Sequence, residues 1–441
     1  MNIRQFHIIG SVVVGCNNFL KIKIDWNYTV YIVKEYATHK LDNVNKEFGY
    51  REQANQSRNF TKDKISTIKQ ADIVTFDDNL ELEDFENEAK DAGQISATPT
   101  TPEPIHYDGH NLMDDSPFKF DSRFKNPCWF EGDTLKCLPY MFLIGVKKCG
   151  TSDLFFRTSL HPDFVKPQFK EAQWFARKRF HGGAMDDIIE YVRMFDSVAE
   201  TIQDNANTSS SEISNLRQVT GEGSPSNLHL NTHWRELPGN ENLDEPKYVI
   251  LDYIQHFLPH AKIMITFRDP VERLYSDYYH EYGSLMKKNH PNPSEFNEVV
   301  TNGVRLYKEC FKHHSIRSCV FNPDLYKITK IQIQLGIYYI FWEELRRLFP
   351  REQILILQNK NLRDKETTMT KVYKFLELRE LSSAEMYKVV NAKEKYTRRA
   401  SFAAEGPMFP ETLKLLQDFY GPFNKRMAEL TNDNAFLYGY S

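Results

Sequence analysis

Two well-separated segments set what this chain can fold into. Each opens with a run of strand length, continuously apolar at residues 141–146 in the first and a buried-strand pattern at 263–267 in the second. Such runs fit strands buried on both faces. Each run stops at a turn that leads into a helical pattern. In the first, Gly145 and Gly150 bracket the loop, and residues 151–160 read as a helix. Backbone N–H groups at such a helix start point at an anion, and the helix dipole favours negative charge there. In the second, Asp269 can cap the helix, Pro270 suits its first turn, and Glu272 completes a capping-box-like start. Arg268 ends the strand and Ser276 lies about two turns into the helix. The two can converge on one phosphate, through a forked guanidinium contact and a hydroxyl. Arg273 and Glu272 read as solvated helix charges.

The rest of the pattern extends this plan. Strands are expected at 141–146, 218–221, 262–267 and 353–358. Helices are expected at 151–160, 186–199, 247–258, 270–282, 331–348, 366–376 and 410–430. Strands alternating with helices give an α/β fold, a parallel sheet covered by helices on both faces. Ligands of such sheets bind beyond the carboxyl ends of the strands, where both turns lie. The spacing of Gly145 and Gly150 is that of a nucleotide phosphate loop, but Lys147 and Lys148 precede the second glycine rather than follow it. This speaks against an ordinary ATPase or P-loop kinase. The 441 residues carry a formal charge of −4, too near neutral for a nucleic-acid binder, so any polyanion site is a local basic patch.

The run Val146-Lys-Lys-Cys-Gly-Thr-Ser-Asp153 resembles the 5′-phosphosulfate loop of the Golgi carbohydrate sulfotransferases, and Arg268-Asp-Pro-Val-Glu-Arg-Leu-Tyr-Ser276 resembles their 3′-phosphate motif. Further stretches agree: Asn126-Pro-Cys-Trp129, Lys170-Glu-Ala-Gln-Trp-Phe-Ala-Arg-Lys-Arg-Phe180, Gly221-Glu-Gly-Ser-Pro-Ser226, and Gly406-Pro-Met-Phe-Pro-Glu-Thr412 leading into Asp418-Phe-Tyr-Gly-Pro-Phe-Asn424. The resemblance covers residues 126–441 and implies a P-loop-like sulfotransferase fold. It implies transfer of a sulfuryl group from 3′-phosphoadenosine 5′-phosphosulfate to a glycosaminoglycan sugar. The acceptor it points to is the 6-hydroxyl of N-acetylgalactosamine 4-sulfate in chondroitin or dermatan sulfate. Related heparan enzymes carry a lysine in the segment matching residues 221–226, and its absence favours the chondroitin branch.

By the same resemblance, Glu171 is the candidate base and Lys148 the contact to the bridging oxygen. Lys147, Cys149, Gly150, Thr151 and Ser152 complete the 5′ loop, and Arg268 with Ser276 holds the 3′-phosphate. Cys149 reads as a packed residue rather than a nucleophile. Trp174, Arg177, Lys178 and Arg179 are acceptor-binding candidates, since cations pair with sulfates and an aromatic face packs on a sugar ring. Their other reading is a solvated basic helix face with core aromatics. Arg398 and Arg399 fall in a stretch that the resemblance assigns to a loop covering the donor. The chain departs from the pattern at Ala172 and Gln173, where relatives carry Pro-His. Gln173 hydrogen-bonds but cannot shuttle a proton. Two alternatives stay open: a sulfotransferase with another acceptor, such as heparan sulfate or a different galactosamine position, and a glycosaminoglycan-binding pseudoenzyme.

Six cysteines are present. Cys128 with Cys137, and Cys310 with Cys319, share one spacing, and each pair can close a short loop as a disulfide in an oxidising lumen. Neither has zinc-site spacing, His313 with His314 reads as a surface pair, and no metal is expected. Sequons at Asn27, Asn55, Asn59 and Asn207 agree with a secretory route. A Golgi-lumen enzyme of this family carries one N-terminal membrane anchor, as a single-pass type II protein. Here the apolar run at residues 8–14 ends at Asn17, Asn18 and Lys21, short of the roughly 20 apolar residues a spanning helix needs. It reads as a signal segment, a buried strand, or a start lacking the anchor. An acidic run at 77–88 and a proline–threonine linker at 98–104 mark residues 1–125 as a largely disordered stem, with the domain at 126–441. Residues 205–214 read as a surface loop. No oligomeric state is readable.

Overall fold

The computed structural model describes residues 9–13, 19–25, 29–34, 111–183, 187–208, 215–285, 292–394 and 406–440. The chain divides into two compact units, Met1–Gln94 and Ile95–Ser441. In the first, β1 (Ile9–Val13), β2 (Phe19–Asp25) and β3 (Thr29–Lys34) form an antiparallel sheet in that order. Of the readings open for residues 8–14, a strand is the one that corresponds to β1. The acidic run, the proline–threonine linker, Asn27, Asn55, Asn59, residues 209–214, Arg398 and Arg399 lie outside the described residues. No helix among the described residues is long and apolar enough to cross a membrane.

The second unit begins its packing ahead of residue 126. Leu112 is buried, and the Phe118 ring stacks on Trp129 at 4.4 Å. A hairpin follows, β4 (Cys128–Glu131) with β5 (Thr134–Cys137), whose facing end residues are the disulfide Cys128–Cys137. The central sheet is four parallel strands in the order β7-β6-β8-β9. These are β6 (Met141–Leu143), β7 (Gly221–Glu222), β8 (Lys262–Phe267) and β9 (Ile354–Gln358). Alternation sends successive side chains to opposite faces. Phe142, Ile144, Ile263 and Ile265 join one buried core, and Met141, Leu143, Met264 and Leu355 join the other. Regular pairing of β6 stops at Leu143, short of residue 146. The chain nonetheless stays bonded to β8 through Gly145, whose carbonyl accepts from Thr266 N at 2.9 Å, and through Val146 N, which donates to Thr266 O at 2.9 Å.

Helices cover both faces. The longer ones are α1 (Thr151–Thr158), α2 (Asp196–Thr208), α3 (Ile250–Phe257), α4 (Pro270–Leu285), α5 (Pro293–His313), α6 (Tyr338–Leu348), α7 (Lys365–Phe375), α8 (Ser383–Asn391) and α9 (Pro410–Thr431). A 3-10 turn at Ile333–Gly336 delays α6 to Tyr338 rather than 331. The disulfide Cys310–Cys319 ties the last turn of α5 to the short helix Ile316–Val320. Both expected cysteine pairs are therefore joined in the structure.

Candidate active site

Strands β6 and β8 are neighbours and parallel, so both turns emerge at the same end of the sheet. At the first, Gly150 holds φ +88°, and a Cβ there would meet Leu362 Cδ1 at 2.8 Å and Asn359 Nδ2 at 2.9 Å. Only glycine fits both demands. Gly150 is also the N-cap of α1 and offers no capping side chain, so none competes for the first-turn amides. The loop is fastened from the side: the Cys149 carbonyl accepts from Asn359 Nδ2 at 2.9 Å and from Thr266 Oγ1 at 3.2 Å. Burial pushes the Cys149 thiol up to about 12, against the opposing pull of the Arg273 and Arg268 guanidiniums. A thiol so protonated is a packing group. Lys148 is half-buried with φ +66°, Thr151 is buried, and Ser152 is half-buried.

The second turn is built differently. Asp269 Oδ1 accepts from Val271 N at 2.8 Å and Glu272 N at 3.3 Å, so α4 is capped by its own carboxylate. Arg268 Nε donates to Glu272 at 3.0 Å, and its carbonyl accepts from Tyr338 Oη at 2.8 Å. Ser276 is half-buried, and Glu272 is exposed.

Two expectations change here. Arg273 is not a solvated charge: it is 0% exposed, pairs with Asp277 at 3.0 Å, and donates to Gln332 O at 2.7 Å. Lys147 turns into the same cluster, 3.4 Å from Asp277 and hydrogen-bonded to Glu281. Burial works against its charge, yet the Asp277 and Glu281 carboxylates outweigh this and hold the ammonium more basic than usual. Its charge is committed to α4, and the resulting Lys147–Asp277–Arg273 cluster bolts the two turns together.

Glu171 lies in an irregular segment held beside the end of the neighbouring strand β7. Gly223 N donates to Lys170 O at 2.8 Å, and Gln173 N donates to Ser224 Oγ at 3.2 Å, so the chain on either side of Glu171 is pinned to the residues that follow β7. Its carboxylate pairs with Lys170, accepts from Gln173 Nε2 at 3.3 Å, and keeps 29% side-chain exposure. Sequence reasoning missed Glu222, the last residue of β7. It is buried and accepts from Tyr191 Oη and, at 2.9 Å, from Asn227 Nδ2. Burial pushes its carboxyl above the usual range, against hydrogen bonds from Ser224, Tyr191 and Asn227, and Glu171 adds to the rise. Its only signal was a charged residue in the Gly221-Glu-Gly-Ser-Pro-Ser226 stretch.

The acceptor candidates divide. Trp174 and Arg179 are 2% and 1% exposed. The Arg179 guanidinium lies 5.5 Å from the Trp174 ring and 4.9 Å from that of Tyr253. This cation–aromatic packing fills the core and puts both residues out of reach of an acceptor. Arg177 is half-buried and Lys178 exposed, with the Lys178 ammonium 5.4 Å from the Phe169 ring centre. Asn207 is exposed in the last turn of α2. Exposed His313 pairs with Glu309 at 3.3 Å, and among the described residues no cluster of His, Cys, Asp and Glu is arranged to hold a metal.

Residues 138–405 match the sulfotransferase domain family. The chain is 35% identical over 314 residues to carbohydrate sulfotransferase 15 of Rattus norvegicus, covering 69% of this chain and 55% of that protein. It is 25% identical over 286 residues to the bifunctional heparan sulfate N-deacetylase/N-sulfotransferase 4 of Mus musculus, covering 60% of this chain and 26% of the relative. The chain thus spans about half the length of the mammalian carbohydrate sulfotransferase 15 proteins it matches. A sulfotransferase from Alicyclobacillus acidocaldarius aligns with TM-score 0.43 and 19% identity over 68% of this chain and 99% of its own. By the family match, the chain belongs to the sulfotransferase domain family.

Proposed function

We propose that this chain transfers a sulfuryl group from 3′-phosphoadenosine 5′-phosphosulfate to a glycosaminoglycan, at the 6-hydroxyl of N-acetylgalactosamine 4-sulfate in chondroitin or dermatan sulfate. The observation that carries this reading is the pair of phosphate-ready turns on adjacent parallel strands, bolted to each other by Lys147, Asp277 and Arg273. The residues present fit such a donor: a helix start whose N-cap is a glycine offers its amides to one phosphate, and Arg268 with Ser276 offers a fork and a hydroxyl to the other. When bound, the donor supplies the sulfuryl group and a phosphate leaving group.

Glu171 takes the proton of the acceptor hydroxyl, whose oxygen then bonds to sulfur as the sulfur–oxygen bond to the phosphate breaks. Lys148 meets the charge that develops on the departing oxygen. Gln173 holds one Glu171 oxygen by hydrogen bond, an orienting part that needs no proton shuttle. Of Arg177, Lys178 and Arg179, the first two reach the surface, where sulfates or carboxylates of the acceptor can pair with them. The two disulfides support an oxidising lumen, in keeping with a Golgi enzyme held at the membrane.

Sulfur-labelled donor offered with chondroitin 4-sulfate, desulfated chondroitin and heparan sulfate, followed by digestion to disaccharides, tests this directly. Label at the 6-position of 4-sulfated galactosamine is expected. Label on another sugar or position replaces the acceptor, and binding without label replaces the enzyme with a pseudoenzyme. Glu171→Gln should retain donor affinity and lose turnover by about 10²–10⁴-fold. Near-normal turnover would remove Glu171 from the base role.

A further inference from the structure

We infer that Tyr440 is a positioning residue for the 3′-phosphate side of the donor site, acting through Asp269. The inference rests on the proposed function, and it concerns a segment far along the chain from either turn. Helix α9 is followed by Asn432, whose φ of +51° reverses the chain. Asp433 caps a short 3-10 helix, Asn434–Leu437, by accepting from Ala435 N at 2.9 Å. Phe436 is 0% exposed and sets its ring edge-on to Phe267, the last residue of β8, at 5.2 Å. With that anchor in place, Tyr438 Oη donates to Gln358 Oε1 at 3.3 Å at the end of β9. Tyr440 Oη donates to Asp269 Oδ1 at 2.6 Å. The segment therefore spans the carboxyl ends of two adjacent strands.

Residues 267, 268 and 269 are each gripped from outside the turn. Phe267 meets Phe436 and, at 5.0 Å, Tyr338; the Arg268 carbonyl takes the Tyr338 hydroxyl; and Asp269 takes the Tyr440 hydroxyl. Asp269 Oδ1 thereby accepts from Val271 N, Glu272 N and Tyr440 Oη together. The phenol bond is short and charge-assisted, the stronger class of hydrogen bond. Arg268 adjoins Asp269 in sequence, so a grip that fixes the Asp269 carboxylate also fixes where the Arg268 side chain departs. Among the described residues, the hydrogen bond of the Tyr440 hydroxyl falls on the second turn, at Asp269. Its loss should be felt at one end of the donor.

Titration of two nucleotides into wild-type, Tyr440→Phe and Arg268→Ala proteins tests this. Adenosine 3′,5′-bisphosphate carries the 3′-phosphate, and adenosine 5′-phosphosulfate lacks it. Tyr440→Phe should bind the bisphosphate roughly tenfold more weakly and the phosphosulfate as wild type does, with kcat at saturating donor unchanged. Asp269→Asn, which keeps the side chain's shape, should show the same one-sided loss and covers the case in which Tyr440→Phe folds poorly. Unchanged bisphosphate affinity in Tyr440→Phe, with a one-sided loss in Arg268→Ala, overturns the inference and leaves the proposed function standing. Equal losses for both nucleotides mark a merely structural contact and also overturn it. Wild-type protein that binds neither nucleotide overturns the proposed function itself.

Discussion

The two turns look alike in sequence and solve the same problem in opposite ways. At the first, the N-cap of α1 is Gly150, which has no side chain to place on the amides of the helix start. At the second, Asp269 occupies the start of α4 and is itself held by Tyr440. An uncapped helix start recognises an anion with backbone and dipole. A self-capped one has used that capacity and must recognise it with side chains, here Arg268 and Ser276. The first turn is thus suited to an end of the ligand where charge moves, because fixed amides need no reorganisation. The second is suited to an end that only has to be held.

The largest expected effect sharpens this contrast by removing the bolt between the turns. Lys147→Met leaves Glu281 without this ammonium and Asp277 with Arg273 alone, and breaking this partly buried cluster from one side should cost about 3 kcal/mol of stability. Denaturant unfolding reads this, and a loss near zero would mean that Lys147 is free to face the donor after all. Next, Arg268→Ala should weaken donor binding by about 10–100-fold while kcat at saturating donor stays near wild type. A fall in kcat with unchanged donor affinity would break the comparison, since it would put chemistry at the holding end. The smallest effect concerns the residue inside the first loop. With its thiol pushed up to about 12, Cys149 is protonated at pH 8. It should resist iodoacetamide in the folded protein, and Cys149→Ala should keep most of the activity. Fast alkylation with loss of activity would contradict a packing role.

Much of this plan is legible in the chain, for physical reasons. Strands β8 and β9 are buried on both faces, so their runs are apolar but for Lys262, Thr266 and Gln358, and the starts of α1 and α4 follow from Gly150, Asp269 and Pro270. What could not be read is which of two similar charges turns inward. Lys147 and Lys148 are adjacent, and only the packing of α4 decides that the first is consumed by Asp277 and Glu281. Arg273 and Asp277 have the spacing of a solvated helix pair, and nothing local signals that their face is buried. Trp174 and Arg179 fail for the same reason, because a further ring packed against the guanidinium, Tyr253, comes from α3. Helix α5 was missed because its sequence is polar with a glycine inside. Gly303 is there because Ile333 packs against it, and a Cβ would meet Ile333 Cδ1 at 2.4 Å.

The central claim is that one adenosine donor is gripped at both ends by these unlike turns. Crossing two variants with two half-ligands tests it most directly: adenosine 5′-phosphosulfate and adenosine 3′-phosphate, each titrated into Lys148→Ala and Arg268→Ala. Lys148→Ala should lose affinity for the 5′ ligand alone, and Arg268→Ala for the 3′ ligand alone. Two variants that lose both ligands equally, or a wild-type protein in which the two half-ligands bind together without competing for the adenosine position, would contradict a single donor held between the turns.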